Sequence, residues 1–575
     1  MAQIGIWQKR RIAFLHRFAA RKAVRSDVTT QFTRPPEPRT LGVISRGQQL
    51  LSGQFLFSGL LIQSPKGSIW DIAADNPSIA DELHGCLWLD DLAAVATGQA
   101  RDLAQEWVFG WIDLAQQTKG RNWTPGVTGM RLIRWINHAD CVLKGATKDQ
   151  TAKFYRSLAQ QTQFLSRRWP QAKQGLRRFE ALSGLIYASA ALDGFRPQLE
   201  PALNGLVKAC GATFDRQGGI PSRNPEELLS YLMLLNLAVQ ALADIKLATP
   251  APLLTAIETI VPNLRAVRHV DGGLARFHGG GRGVEGRLDQ ALAQAAVRSA
   301  PEMRLYMGYA RLSGGRTSVV VDASAPPKGA DSREAHASTL AFELTSGRRP
   351  VIVNVGSGAR FGTDWRRASR ATPSHSTLGI DGQSSARLDR ARRSRREELV
   401  DGPEMVRANL VDLQPGRRLE SSHNGYQNTC GLTHARILSL SVDGRSLEGE
   451  DLLATLSPEE ESLFDARNKG GAGIAFAIRF HLHPEVEAHL DPAGQYVTLA
   501  LNSGETWALQ GDGTVNISLA PSVYLQDGLL RPRSTQQVVL SGRAMSYATR
   551  VRWTLAKTQD TPTLVRDLAE ADLAV

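Results

Sequence analysis

The sequence predicts a two-part chain, all-helical in its first half and an antiparallel β-sandwich in its second. Three observations carry this. At 575 residues the chain is too long for one ordinary core, so the length prior is about two to four domains. From about residue 40 to 300 the apolar positions recur every three to four residues, the period of an amphipathic helix. After about 300 the pattern changes to short β-branched runs separated by turns, and so many strands at close spacing imply an antiparallel sandwich.

Taken in order, residues 1–40 form a basic tail. Lys9, Arg10, Arg11, Arg17, Arg21, Lys22 and Arg25 stand within residues 1–25 without an acid, so of a net charge of +12 only +5 (12 − 7) remains elsewhere. Ile4, Trp7, Phe14, Leu15 and Phe18 interleave with these bases at roughly helical spacing. That describes an amphipathic helix lying on a membrane surface or on the protein's own body, and docking on the body is slightly favoured. No secretory signal pattern is visible in this N-terminus, and no stretch approaches the roughly 20 apolar residues of a membrane-spanning helix.

Residues 41–300 hold the helical runs, among them "ARDLAQEWVFGWIDLA", "GVTGMRLIRWINHADCVL", "FEALSGLIYASAALDG" and "NPEELLSYLMLLNLAVQALADI". Gly and Pro clusters such as "DGFRP" and "RQGGIP" separate them, which suits short connections between antiparallel helices. Residues 301–560 hold the strand runs, among them "TSVVVDAS", "RPVIVNVGSG", "GIAFAIRFHLHP" and "TRVRWTLAK". The charged "ARLDRARRSRREEL" interrupts them as a solvated loop or short helix, and residues 561–575 form a C-terminal tail.

The composition, 42% hydrophobic and 22% charged, carries no disorder signature. Cys86, Cys141, Cys210 and Cys430 are too far apart for a metal knuckle or a dense disulfide framework, and read as free, buried thiols. No GxSxG elbow, HExxH helix or P-loop is present, which argues against esterase, zincin and NTPase chemistry. "GRGVEG" at Gly281–Gly286 matches a dinucleotide fingerprint in letters only, since no βαβ series surrounds it. No DNA-reading element accompanies the basic tail, so nucleic acid is not expected as a partner.

Histidines are the remaining signal. His336 lies in "SREAHASTLAFEL", which reads as a strand buried on both faces, and a buried imidazole needs partners for both ring nitrogens. It is either a satisfied core residue or a ligand. His269 and His278 in "HVDGGLARFHGGG" either face a cleft or, as the safer default, are turn histidines exposed to water. His481 and His483 share one strand face in "RFHLHP", which permits a metal pair but suits a polar face better.

A helical half followed by a sandwich, with "SREAHASTLAFELTSGRRPVIVNVGSG" and "RATPSHSTLGIDG", resembles the heparinase II/III family of polysaccharide lyases over roughly residues 40–560. The resemblance implies an incomplete α/α toroid followed by a β-sandwich. It also implies cleavage of acidic, uronate-containing polysaccharide by β-elimination at the cell envelope or periplasm. A cytoplasmic or membrane-peripheral location is the alternative.

Such a reaction needs a group to neutralise the uronate carboxylate, a base for its C5 proton and an acid for the leaving oxygen. The family's zinc ligands fall on His336, Asn354 and His375. The resemblance therefore implies either one divalent metal, zinc, or a hydrogen-bonded triad in which Asn354 orients the histidines.

The family's strand histidine is Glu334 here, its Asn-His pair falls at Arg177 and Arg178, and its toroid tyrosine becomes Glu227, with Tyr231 one turn later. A substitute constellation has Arg177, Arg178 or Arg223 binding the carboxylate, Glu227 or Glu334 as base, and Tyr231 as acid. Its competitor is an i,i+4 pair between Arg223 and Glu227 on a solvated helix face. Two functions follow: a carbon–oxygen lyase, which is preferred, or a non-catalytic polysaccharide-binding or envelope-biogenesis protein.

Overall fold

The computed structural model describes residues 2–63, 68–72, 77–115, 122–298, 302–380, 382–389, 397–413, 416–526 and 528–560. The C-terminal tail, the centre of "ARLDRARRSRREEL" and the Ile4 and Lys9 side chains lie outside the described residues. Two compact units result. One comprises 1–215, 229–259 and 290–297, the other 216–228, 260–289 and 298–575. Segments 216–228 and 260–289, which helical period groups with the first half, thus belong to the sandwich unit.

In the helical unit the predicted runs are helices Gly98–Ala115, Pro125–Asn137, Lys148–Arg168, Leu176–Ala191 and Leu199–Thr213. Capping supports some of these ends. The Thr147 hydroxyl accepts from the Gln150 amide while Gln150 reaches back to the Thr147 N–H, a reciprocal capping box. Two of the helices cross where Gly129 meets Gly184. A Cβ on Gly184 would stand 2.5 Å from the Gly129 Cα, so only glycine permits this approach.

Around that crossing lies an aromatic core. Trp88 packs edge-on to Trp107 at 5.2 Å and Trp111 to Trp135 at 5.4 Å. The buried Arg131 guanidinium stacks over Trp111 at 3.8 Å while donating to Gln161, Thr128 and the carbonyls of His84 and Asn122. Leu232, Leu235, Ala238 and Leu242 are fully buried, so the long apolar helix Pro225–Asp244 serves as a core helix. The N-terminal helix Ala2–Val24 packs on Lys148–Arg168 through buried His16, Ala19, Ala20 and Ala23.

The sandwich unit has two antiparallel sheets, each of eight strands among the described residues. One runs, edge to edge, Val406–Leu413, Gly416–Tyr426, Leu432–Ser441, Ser446–Ala454, Ala548–Gln559, Thr506–Gly511, Tyr496–Leu501, Val486–Leu490. The other runs Asn516–Tyr524, Arg533–Ala544, Ile474–Leu482, Arg349–Val353, Phe342–Ser346, Thr317–Asp322, Tyr309–Gly314, with Leu378–Ile380 also paired to Ile474–Leu482. Trp553 of the first sheet stacks on Phe342 and meets Phe480 edge-on, both from the second, so the two sheets share one core.

Three expectations are corrected. The strand predicted over Ser332–Leu344 begins only at Phe342. Upstream, backbone groups find partners outside any ladder: Ala337 N–H donates to the Arg370 carbonyl, and the Arg370 guanidinium donates to the carbonyls of Ser332 and Ala335. His336 therefore sits on an irregular, pinned segment. His269 and His278 are buried, not exposed, because both turn inward onto carboxylates. Cys86, Cys210 and Cys430 are free and buried, but Cys141 is half-buried.

Candidate functional site

Asp322 is the last residue of the six-residue strand Thr317–Asp322 and is fully buried. A carboxylate can remain there only with charged or hydrogen-bonding partners. Arg223 Nη2 donates to it at 2.6 Å, the Ser338 hydroxyl donates at 2.7 Å, and His278 Nε2 lies at 3.3 Å. These partners outweigh burial and hold Asp322 well below the usual carboxylate range.

Arg223 has no donor left for a substrate. Its five N–H groups face the carbonyls of Met307, Ser324, Ala325 and Gly308 and the Asp322 carboxylate, and its plane lies over the Tyr309 ring. The expected pairing with Glu227 is absent: Arg223 precedes the helix, with φ of 53°, and turns to Asp322. Glu227 instead accepts from the Ser222 hydroxyl at 2.6 Å.

Three imidazoles gather beside Asp322. Ring centroids lie 6.2 Å apart for His278 and His336 and 4.9 Å for His336 and His375. The His336 N–H donates to His278 Nδ1, which leaves the His278 proton on Nε2, facing Asp322. Gly279 N–H donates to His336 Nε2 at 3.1 Å, so the His336 proton resides on Nδ1, which has no partner. Neither nitrogen of His375 has one. Burial, first, holds both rings neutral, with His336 well below the usual histidine value and His375 pushed down to about 3.

Asn354 is brought beside this cluster but is committed elsewhere. Its Oδ1 accepts from the Ser376 N–H at 3.0 Å and its Nδ2 donates to Glu343 at 3.4 Å. It therefore orients neither histidine. The zinc set implied by resemblance meets the same obstacle. Coordination through His336 Nδ1 would move the ring proton to Nε2, against the Gly279 N–H, and Asn354 offers an engaged amide oxygen in place of a carboxylate. Among the described residues no group of three His, Cys, Asp or Glu side chains could hold a metal. The residues present do not fit a three-ligand zinc centre.

Glu334 lies two residues before His336, half-exposed, with both oxygens bonded to the Arg366 guanidinium at 2.9–3.3 Å. In the helical unit, Arg177 is paired with Glu180 and Asp81, and Arg178 donates to the carbonyls of Ala172 and Pro170. Tyr231 is buried between Phe179 and Phe214 at 4.7 and 5.4 Å. His481 is buried, its ring bonded to the Ser522 hydroxyl and the Pro373 carbonyl, which ties down the loop bearing His375.

Sequence reasoning missed Asp322, Glu343 and Arg436, which organise the site. Arg436 Nη1 donates to the carbonyls of Leu340 and Ser376, thereby fixing the segments that carry His336 and His375. Behind it, Asp451 accepts from Arg436, His434 and Trp553. The available signal was a charged residue inside an otherwise apolar run, as in "TSVVVD" and "LAFEL".

This fold and this histidine-bearing loop cluster define a class. Residues 297–554 match the family described as Heparinase II/III-like, C-terminal. FtsZ-localized protein C of Caulobacter vibrioides (strain NA1000 / CB15N) is 31% identical over 542 residues, 92% of this chain and 90% of that one. Among solved structures, Heparinase III is similar at a TM-score of 0.68 and 11% identity, over 93% of this chain and 88% of that one. A heparan sulfate lyase HepC mutant from Pedobacter heparinus is similar at 0.58 and 14%, over 95% and 88%. The chain belongs to the heparinase II/III family, and its fold class is an incomplete α/α toroid followed by an antiparallel β-sandwich.

Proposed function

We propose that this chain is a non-cleaving member of its family, one that binds an acidic polysaccharide at the cell envelope without eliminating across its glycosidic bonds. The observation that carries this reading is the commitment of the candidate groups. Arg223 has spent its five donors on protein acceptors, and both Glu334 oxygens are held by Arg366. A general base must reach the proton it takes, and Glu334 is instead held against Arg366 through both oxygens. The relative from Caulobacter vibrioides is named for localisation with FtsZ, and a role alongside the division apparatus is part of the same proposal.

The test is retention on immobilised heparan sulfate, chondroitin sulfate and alginate, with recovery of polymer of unchanged length. Saturable binding without shortening supports the reading, and failure to bind any of them overturns it.

The lyase remains the second reading, favoured by His336 and His375 standing at the family's positions with unpartnered ring nitrogens. Peripheral membrane contact is a further part of the proposal. The helix Ala2–Val24 buries one face and leaves Trp7, Phe14 and Phe18 more than 60% exposed among Arg10, Arg11, Arg17 and Arg21. Apolar side chains flanked by bases suit the boundary of an anionic bilayer.

A further inference from the structure

The sandwich unit carries a cavity of about 390 Å³, within the roughly 300–1,000 Å³ typical of small-molecule sites, that none of the groups above accounts for. Its walls are rich in arginine. Three of these are neutralised inside the wall: Arg276 by Glu343, Arg282 by Asp271 and Arg349 by Glu485. Two more, Arg348 and Arg533, stand exposed at the rim and form no ion pair among the described residues. The lining therefore has two uncompensated positive charges.

Within the wall the donors are held in place. Tyr524 lies under the Arg276 guanidinium at 4.3 Å and meets the His483 ring edge-on at 5.0 Å, fixing both. Arg276 is 4% exposed, and its Nη1 has no hydrogen-bond acceptor. His483 is buried, and its Nδ1 accepts from the Glu485 N–H, so the neutral ring carries its proton on Nε2 and is a donor there. A buried guanidinium nitrogen lacking an acceptor calls for an oxyanion, since leaving such a donor unsatisfied is costly.

We propose that this pocket binds the dianionic phosphate group of a phosphate monoester, with Arg348 and Arg533 closing on it from the rim. Charge selects the ligand class. Two unpaired guanidiniums balance a dianion, whereas a uronate carboxylate or a sulfate ester, each a monoanion, leaves one uncompensated. Arginine's planar fork also matches phosphate oxygens bidentately. This goes beyond polysaccharide binding, and its failure would leave that reading untouched.

The test is calorimetric titration of the full-length protein with inorganic phosphate, methyl phosphate, methyl sulfate and glucuronate. Glycerol 3-phosphate and phosphatidate vesicles distinguish a soluble monoester from a lipid headgroup. Saturable binding of phosphate and methyl phosphate is expected, with methyl sulfate and glucuronate weaker by about tenfold or more. Arg348→Ala/Arg533→Ala, which alters only exposed side chains, should weaken phosphate by at least about tenfold while leaving the unfolding midpoint unchanged. No saturable phosphate binding, equal binding of the monoanions, or an unaffected double variant would each overturn the proposal.

Discussion

The Asn354 side-chain amide donates to the Glu343 carboxylate at 3.4 Å, and both residues are buried. Glu343 also accepts from the Asn354 and Arg276 backbone amides and faces His269. Arg276 and these donors outweigh burial and pull it down to about 2. An aspartate at 354 would set a second carboxylate against this one. The amide is thus matched to Glu343, and the position that would supply a zinc carboxylate is built for a neutral donor. Asn354→Asp should lower stability by about 1–3 kcal/mol in urea unfolding. Wild-type protein should show no zinc-dependent rise in its midpoint. Stoichiometric zinc in the purified protein, lost in His336→Ala, would refute this.

Arg436 and Asp451 make a second testable pair. Both are fully buried, and Arg436 donates to Asp451 while bracing the Leu340 and Ser376 carbonyls. Arg436→Met leaves the Asp451 charge short of its strongest partner, and about 3–5 kcal/mol should be lost. The chemical-denaturation midpoint reads this directly. A change below about 1 kcal/mol would mean that the network is not held as described.

Acid sensitivity should begin with histidines. Burial pushes His16 and His481 down to about 4. Between about pH 6.5 and 4 the unfolded chain therefore binds protons that the folded one does not, and stability falls as pH falls. Each such histidine contributes about 1.4 kcal/mol per pH unit across that window. Unfolding free energies measured at pH 7, 6 and 5 should decline, and His481→Gln should flatten the decline. Equal stability at all three values would contradict it.

For the N-terminal helix, flotation with anionic vesicles should carry the intact protein upward. Trp7→Glu/Phe14→Glu/Phe18→Glu should abolish flotation without moving the thermal midpoint, because these side chains are exposed. Flotation unaffected by the triple substitution would remove the membrane proposal.

The sequence disclosed the fold class through its two periods, since burial imposes a spacing of 3.6 on helices and 2 on strands. His336, Asn354 and His375, on three separate segments between residues 336 and 375, do come together. Their chemistry was not legible, because it depends on which lone pairs are already taken. Gly279 N–H on His336 and Ser376 N–H on Asn354 are backbone donors that leave no mark on residue type. The strand predicted through His336 failed for a related reason: Arg370 satisfies its carbonyls from a distant loop. Helical period also could not show that 216–228 and 260–289 group with the sandwich, an association built on the Arg223–Asp322 pair and the Glu343 contacts.

The most direct measurement of the central claim is incubation of the purified protein with heparan sulfate, chondroitin sulfate, hyaluronan and alginate while following ultraviolet absorbance of the unsaturated uronate. With Arg223 and Glu334 fully committed, no absorbance should develop with any polymer that the protein binds. Steady product formation that disappears in Glu334→Gln or Tyr231→Phe would contradict the account and restore the lyase.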